Sequence, residues 1–129
     1  MGARILVIED DAASLELVRY LLAAAGHTVL LAHHGAEGLE SARAARPDLI
    51  VTDLHMPGMD GMTLLRHLRQ DPALAATPVV AVTAYSMVSD RNAVFAAGFS
   101  GYVSKPIDPD NFVRTIESHL PAAPDAPGD

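Results

Sequence analysis

The stretch LIVTDLHMPGMDG, residues 49–61, decides the fold. Leu49, Ile50 and Val51 form a short, continuous apolar run, the pattern of a strand covered on both faces rather than one. Asp53 ends that run, and His55, Met56, Pro57 and Gly58 turn the chain away at once. A carboxylate therefore projects from the end of the driest element. Its purpose depends on what other elements bring to the same edge.

Four more short apolar runs accompany it, at Arg4–Ile8, Thr28–Ala32, Val79–Thr83 and Gly101–Ser104, of which those at Arg4–Ile8 and Val79–Thr83 are likewise continuous. Helical patterns lie between and after them at Ala13–Ala25, Ala36–Ala45, Met62–Gln70, Met87–Ala97 and Asp110–Leu120. In the first, Leu17, Val18, Leu21, Leu22 and Ala25 make one apolar stripe; in the last, Phe112, Val113, Ile116 and Leu120 do the same. Gly26 and Gly98 suit helix C-termini, and Asp108-Pro109 reads as a cap followed by a first-turn proline. Five β-α units in succession predict an α/β, doubly wound (βα)5 fold, a five-stranded parallel sheet with helices on both faces. The domain is expected to span 1–120. The segment 121–129, PAAPDAPGD, reads as a flexible C-terminal tail or the stump of a linker.

Composition narrows the function. The length suits one domain with a single core. No apolar run reaches 18 residues, so no membrane span is expected, and MGARILV lacks the features of a signal peptide. With no cysteine there is no disulfide, thiol nucleophile or thiolate metal site. The net charge of −7, with Lys and Arg scattered singly, argues against nucleic-acid binding. A cytoplasmic location is the default.

In an open parallel sheet, functional groups gather beyond the carboxyl ends of the strands. The first strand delivers Glu9, Asp10 and Asp11 there, the third Asp53, the fourth Thr83, and the fifth Ser104, Lys105 and Pro106. Two carboxylates about 5 Å apart repel by roughly 3 kcal/mol at an effective dielectric near 20. Such a cluster calls for a cation, and Mg²⁺ answers that need while leaving room for phosphate oxygens.

The ordered set Asp10-Asp11, Asp53 with MPGMDG after it, Thr83-Ala84 and Lys105-Pro106 resembles the receiver domain of bacterial response regulators. It covers residues 3–120, and VVAVTAYSM and GYVSKPI are most similar to stand-alone regulators of the DivK type. The resemblance implies the flavodoxin-like strand order 2-1-3-4-5. It also implies phosphorylation of Asp53 by a phosphohistidine donor, Mg²⁺ as cofactor, and catalytic help from Thr83 and Lys105. Asp11 and Asp53 would bind the metal directly with the backbone carbonyl of His55, and Asp10 would act largely through water. Thr83 and Tyr102 would form the switch that moves the face made by the fourth helix, fifth strand and fifth helix. His55 and Tyr85 occupy positions that tune dephosphorylation, Pro106 is expected to follow a cis peptide bond, and Leu15 lies where histidine-bearing helices dock. The implied partners are a sensor histidine kinase, a histidine phosphotransfer protein, or both, and a downstream protein target. Nucleic acid and membrane are not expected. A monomer is expected, with a dimer on phosphorylation as the alternative.

Each residue also has a plainer reading. Asp53 alone would cap a turn, Thr83 would fill a strand, Lys105 would be a surface lysine, and Tyr102 would pack beside its strand. Glu9 is left out of the site. The histidines other than His55 fall in turns or on polar helix faces, and no pair has the i, i+4 spacing of a zinc site. The methionines around the site suit adaptable packing. The competing function is a haloacid-dehalogenase-type phosphatase with Asp53 as nucleophile. That class wants an acid where His55 stands, and places its second acidic pair after the lysine. A flavin-binding module would need hydroxyls and free N–H groups after the first strand, where EDD would repel a phosphate. The expected role is a signalling switch that catalyses its own phosphorylation and dephosphorylation, not an enzyme acting on other substrates.

Overall fold

Each of the five apolar runs is a strand: β1 (Arg4–Ile8), β2 (Thr28–Ala32), β3 (Leu49–Asp53), β4 (Val79–Thr83) and β5 (Gly101–Ser104). The helices between and after them are α1 (Ala12–Ala24), α2 (Gly35–Ala45), α3 (Gly61–Gln70), α4 (Val88–Ala97) and α5 (Pro109–Glu117). The structure, a computed structural model, describes residues 2–84 and 88–121, with the side chains of 88 and 89 excepted. Tyr85, Met87 and all but the first residue of the 121–129 tail lie outside the described residues.

The strands pair in parallel in the order β2-β1-β3-β4-β5. Side chains alternate across a sheet, and the two faces sort accordingly. Ile5, Val7, Leu49, Val51, Val80 and Val82 pack with Leu15, Val18 and Leu22 of α1 and Phe112 and Ile116 of α5. Leu6, Ile8, Ile50, Val79 and Ala81 pack with Leu39 and Ala42 of α2, Leu64, Leu65 and Leu68 of α3, and Val94 of α4. All five residues of β3 and of β4 are buried, as expected for strands covered on both sides.

The helix ends follow local chemistry. Asp11, Asp60 and Asp108 each accept a backbone N–H in the first turn of α1, α3 and α5. Gly26 and Gly98 have φ of 96° and 110°, the left-handed conformation that lets the chain leave α1 and α4. α5 stops short of Leu120 because His119 N–H and Leu120 N–H bond three residues back, to Ile116 and Glu117, tightening the last turn out of the α-helical pattern.

Two sequence expectations need correction. The buried stripe of α1 is Leu15, Val18 and Leu22, whereas Leu17 is 37% exposed. Residues 15, 18 and 22 fall on one line of a helix that begins at Ala12, and Leu17 lies nearly opposite Leu15 on that wheel. His27 sits in the turn before β2 but is buried rather than solvated. Its Nδ1 accepts the Ala3 N–H at 3.0 Å and its Nε2 lies 2.8 Å from Glu117 Oε2, tying α5 to the start of β1. That contact is at the opposite end of the sheet from Asp53.

Candidate functional site

Strand register brings the site together. Ile8 pairs with Thr52, so the next residues, Glu9 and Asp53, stand level on neighbouring strands. The Glu9 N–H continues the ladder to Ala32 O at 3.0 Å, and the Lys105 N–H does the same to Thr83 O at 2.8 Å. By alternation, Glu9 follows Ile5 and Val7, Asp53 follows Leu49 and Val51, and Lys105 follows Val103, all toward the face covered by α1 and α5. Lys105 Nζ is 2.8 Å from Glu9 Oε1 and 3.1 Å from Asp53 Oδ2. Glu9 is 4% and Asp53 8% exposed, so the two acids are nearly dry, while the Lys105 side chain keeps 20% of its surface exposed.

Burial pushes the Glu9 carboxyl up to about 7, and the Asp53 charge adds to that rise, while the bonds from Lys105 and the Asp11 N–H work against it. At Lys105 burial favours the neutral amine, but the bonds to Glu9 and Asp53 outweigh it and hold the ammonium above the ordinary lysine value. The lysine is thus kept charged between two acids.

Asp11, expected as a direct metal ligand, lies outside this cluster. Its Oδ2 accepts the Ser14 N–H at 2.9 Å and caps α1. The bonds from Ser14 hold its carboxyl below the usual range. Its own N–H donates to Glu9 Oε2 at 3.1 Å. The physical reason is that α1 begins at Ala12, so the residue before it must satisfy first-turn N–H groups. Carboxylate oxygens of Glu9, Asp10 and Asp53 instead lie within 4.8 Å of one another. Three hard oxygen donors, one of them exposed, fit a small divalent cation that keeps water ligands. Glu9 is the residue the sequence reading missed. The available signal was register, since Glu9 and Asp53 occupy equivalent places on adjacent strands.

The backbone N–H of His55 donates to Asp53 Oδ1 at 3.1 Å, and its side chain is exposed. His55 lines a groove of about 140 Å³ with Leu54, Asp60, Met62, Asp90, Ala93 and Val94. Met56 is buried in the core beneath α3. Thr83 is fully buried at the end of β4. Ala81 pairs with Tyr102 and Thr83 with Ser104, which puts Thr83 and Tyr102 on the same face of adjacent strands, the face under α4. Tyr102 is half-buried against that core. The Lys105–Pro106 peptide bond is cis.

Leu15, expected to dock a partner, is 5% exposed and belongs to the core. A side chain that packs on the sheet cannot also meet a partner. The exposed leucine of α1 is Leu17, which lines a groove of about 230 Å³ with Ala13, Ser14, Lys105, Pro106 and Ile107.

The family model described as the response regulator receiver domain matches residues 5–117. The chain belongs to that family. It is 36% identical over 120 residues to the polar-differentiation response regulator DivK of Brucella anthropi, covering 93% of this chain and 98% of that protein. The chemotaxis protein CheY4 of Vibrio cholerae superposes with a TM-score of 0.88 at 28% identity, covering 93% of this chain and all of the other. The receiver domain of a sensor histidine kinase from Pseudomonas aeruginosa has a TM-score of 0.84 at 28% identity over 92% of this chain and 98% of its own. That structure has a magnesium ion coordinated in its active site cleft. The protein is therefore a receiver domain of two-component signalling with the CheY-like, flavodoxin-type fold. Membership excludes the haloacid-dehalogenase alternative, and the acids of this receiver precede the lysine in sequence as they do not in that class. Among the described residues no helix is long and apolar enough to cross a membrane.

Proposed function

We propose that the receiver accepts a phosphoryl group from phosphohistidine onto Asp53 and uses it to switch a protein-binding face. An Asp53 carboxylate oxygen forms the new O–P bond, and the P–N bond breaks with its electron pair returning to the donor imidazole. The observation that carries this reading is the Lys105–Asp53 contact beside Glu9 and Asp10. One carboxylate is held at a strand end with a cation on one side and oxygen donors on the other.

Little proton chemistry is needed, so positioning and charge neutralisation supply most of the rate. Glu9, Asp10 and Asp53, with the backbone carbonyl of His55, would hold Mg²⁺. Bound there, the ion would neutralise charge on the phosphoryl oxygens. Lys105 pairs with those oxygens as a point charge, and the Thr83 hydroxyl donates to one of them. His55, whose N–H bonds Asp53, and Tyr85, two positions after Thr83 in the sequence, set how long the acyl phosphate survives in this reading. Thr83 drawn toward the phosphoryl group opens space on the α4 side of the sheet, and Tyr102 on the same face fills it. This shifts the face of α4, β5 and α5, where a downstream protein binds.

The donor is a sensor histidine kinase or a histidine phosphotransfer protein in the cytoplasm. The groove between Ala13, Leu17, Pro106 and Ile107 suits the apolar side of its histidine-bearing helix, because Lys105, which bonds Asp53, also lines it. The receiver acts as a monomer in this reading and turns over only its own phosphoryl group. With Mg²⁺ and acetyl phosphate the protein should gain one labile acyl phosphate, and Asp53→Asn should abolish it. Steady turnover of a phosphomonoester without a stable adduct would refute the proposal.

A further inference from the structure

Arg91 on α4 lies over the ring of Tyr102 on β5, with its guanidinium carbon 5.5 Å from the ring centroid. A cation within about 6 Å of an aromatic face is attracted by the negative face of the ring. Arg91 is exposed and Tyr102 half-buried, so the contact sits at the rim where the helix meets the sheet. We propose that Arg91 is a positioning residue for Tyr102, a latch that makes the ring and α4 move together. The inference rests on reading Thr83 and Tyr102 as the switch pair.

The geometry gives the latch its consequence. Tyr102 stands opposite Ala81, a small cross-strand neighbour. The strand backbone alone does not choose the ring position, because a tyrosine turns about χ1 between staggered wells. Arg91 biases that choice from the helix side. A turn of the ring takes it out from under the guanidinium unless the Arg91 side chain turns with it or α4 follows, and the contact favours the arrangements that keep the two together. A rotamer change on β5 thereby becomes a displacement of α4, which is what an output surface built from both elements requires. A planar guanidinium stacks on a ring in a way an ammonium does not, so lysine at this position should couple more weakly.

The test uses the full chain labelled with 3-fluorotyrosine, its Tyr102 resonance assigned by Tyr102→Phe. Fluorine spectra and amide exchange of α4 are recorded before and after treatment with Mg²⁺ and acetyl phosphate. Arg91→Ala should reach the same extent of phosphorylation. It should change the balance of Tyr102 ring positions by about two- to fivefold, as expected for an exposed cation–π contact, and α4 exchange should no longer follow phosphorylation. Arg91→Lys should restore the coupling in part, and in a Tyr102→Leu background Arg91→Ala should have no further effect. Identical Tyr102 spectra and α4 exchange in wild type and Arg91→Ala would overturn the latch and leave the switch standing. A wild-type Tyr102 resonance indifferent to phosphorylation would overturn the switch reading and the latch with it.

Discussion

Lys105 Nζ donates to Asp53 Oδ2 at 3.1 Å, reaching from the end of β5 past β4 to β3. The same ammonium bonds Glu9 beyond β1, so a single cation registers the charge at two other strand ends. A change at Asp53 must alter what Lys105 holds and, through its backbone bond to Thr83, the end of β4. Lys105→Ala should therefore still form the acyl phosphate on Asp53 but lose the change in α4 exchange that accompanies it. A normal response in that variant would remove Lys105 from the coupling role.

The two acids after Glu9 should separate by experiment. Asp10 shares the oxygen cluster with Asp53, while Asp11 is occupied as the cap of α1. Asp10→Asn should weaken Mg²⁺ binding at least about tenfold, since even groups that only support a ligand cost that much. Asp11→Asn keeps a capping oxygen and should leave Mg²⁺ affinity nearly unchanged, whereas Asp11→Ala should lower the melting temperature. Calorimetric titration with Mg²⁺ and thermal melts distinguish the two, and a large affinity loss in Asp11→Asn would restore it as a ligand.

The inner strands were legible because strands covered on both faces leave continuous apolar runs such as LIV and VVAV, while the edge strands β2 and β5 keep exposed or half-buried positions and still fall where expected. Helix faces were less legible. Leu15 and Leu17 are two residues apart and both apolar, and only packing against the sheet decides which one is buried. The slip at Glu9, Asp10 and Asp11 has the same origin. Three acids in a row carry no mark of where a strand ends and a helix begins. Register with Thr52 and the capping need of α1 assign them, and both are tertiary facts. His27 escaped notice because its partners, Ala3 and Glu117, lie 24 and 90 positions away.

Glu9 should leave a signature in the pH dependence of stability. Its carboxyl titrates at about 7 in the folded chain against an ordinary 4.5, so between those values the folded form binds more protons than the unfolded one. The stability this group contributes is fully present below 4.5 and is lost as pH rises through about 7. Melting temperatures in EDTA should thus fall between about pH 5 and 7.5, and Glu9→Gln should flatten that part of the curve. The caps Asp11 and Asp60, whose carboxyls are held low, act in the opposite sense and only at more acid pH. A Glu9→Gln profile parallel to wild type between pH 5 and 7.5 would show that Glu9 titrates normally.

Gly61, the last residue of LIVTDLHMPGMDG, is needed for close approach. It opens α3 with its N–H bonded to Leu54 O at 2.9 Å, and a Cβ there would lie 2.7 Å from Asp53 O and 2.9 Å from the Leu54 Cα. Both are backbone atoms, so no side-chain rotation relieves the clash; either α3 or the end of β3 must shift. Gly61→Ala should destabilise the fold by about 1–3 kcal/mol, the usual cost of overpacking. The displaced segment carries Asp53 and the His55 N–H that bonds it, so phosphorylation by acetyl phosphate should slow as well. Gly58, with φ of 78° and open space around its missing Cβ, provides the contrast. Gly58→Ala strains only the turn and should cost less in stability while leaving Asp53 in place. Equal loss of phosphorylation rate in the two variants would mean that the turn, not the contact of α3 with β3, positions the acceptor.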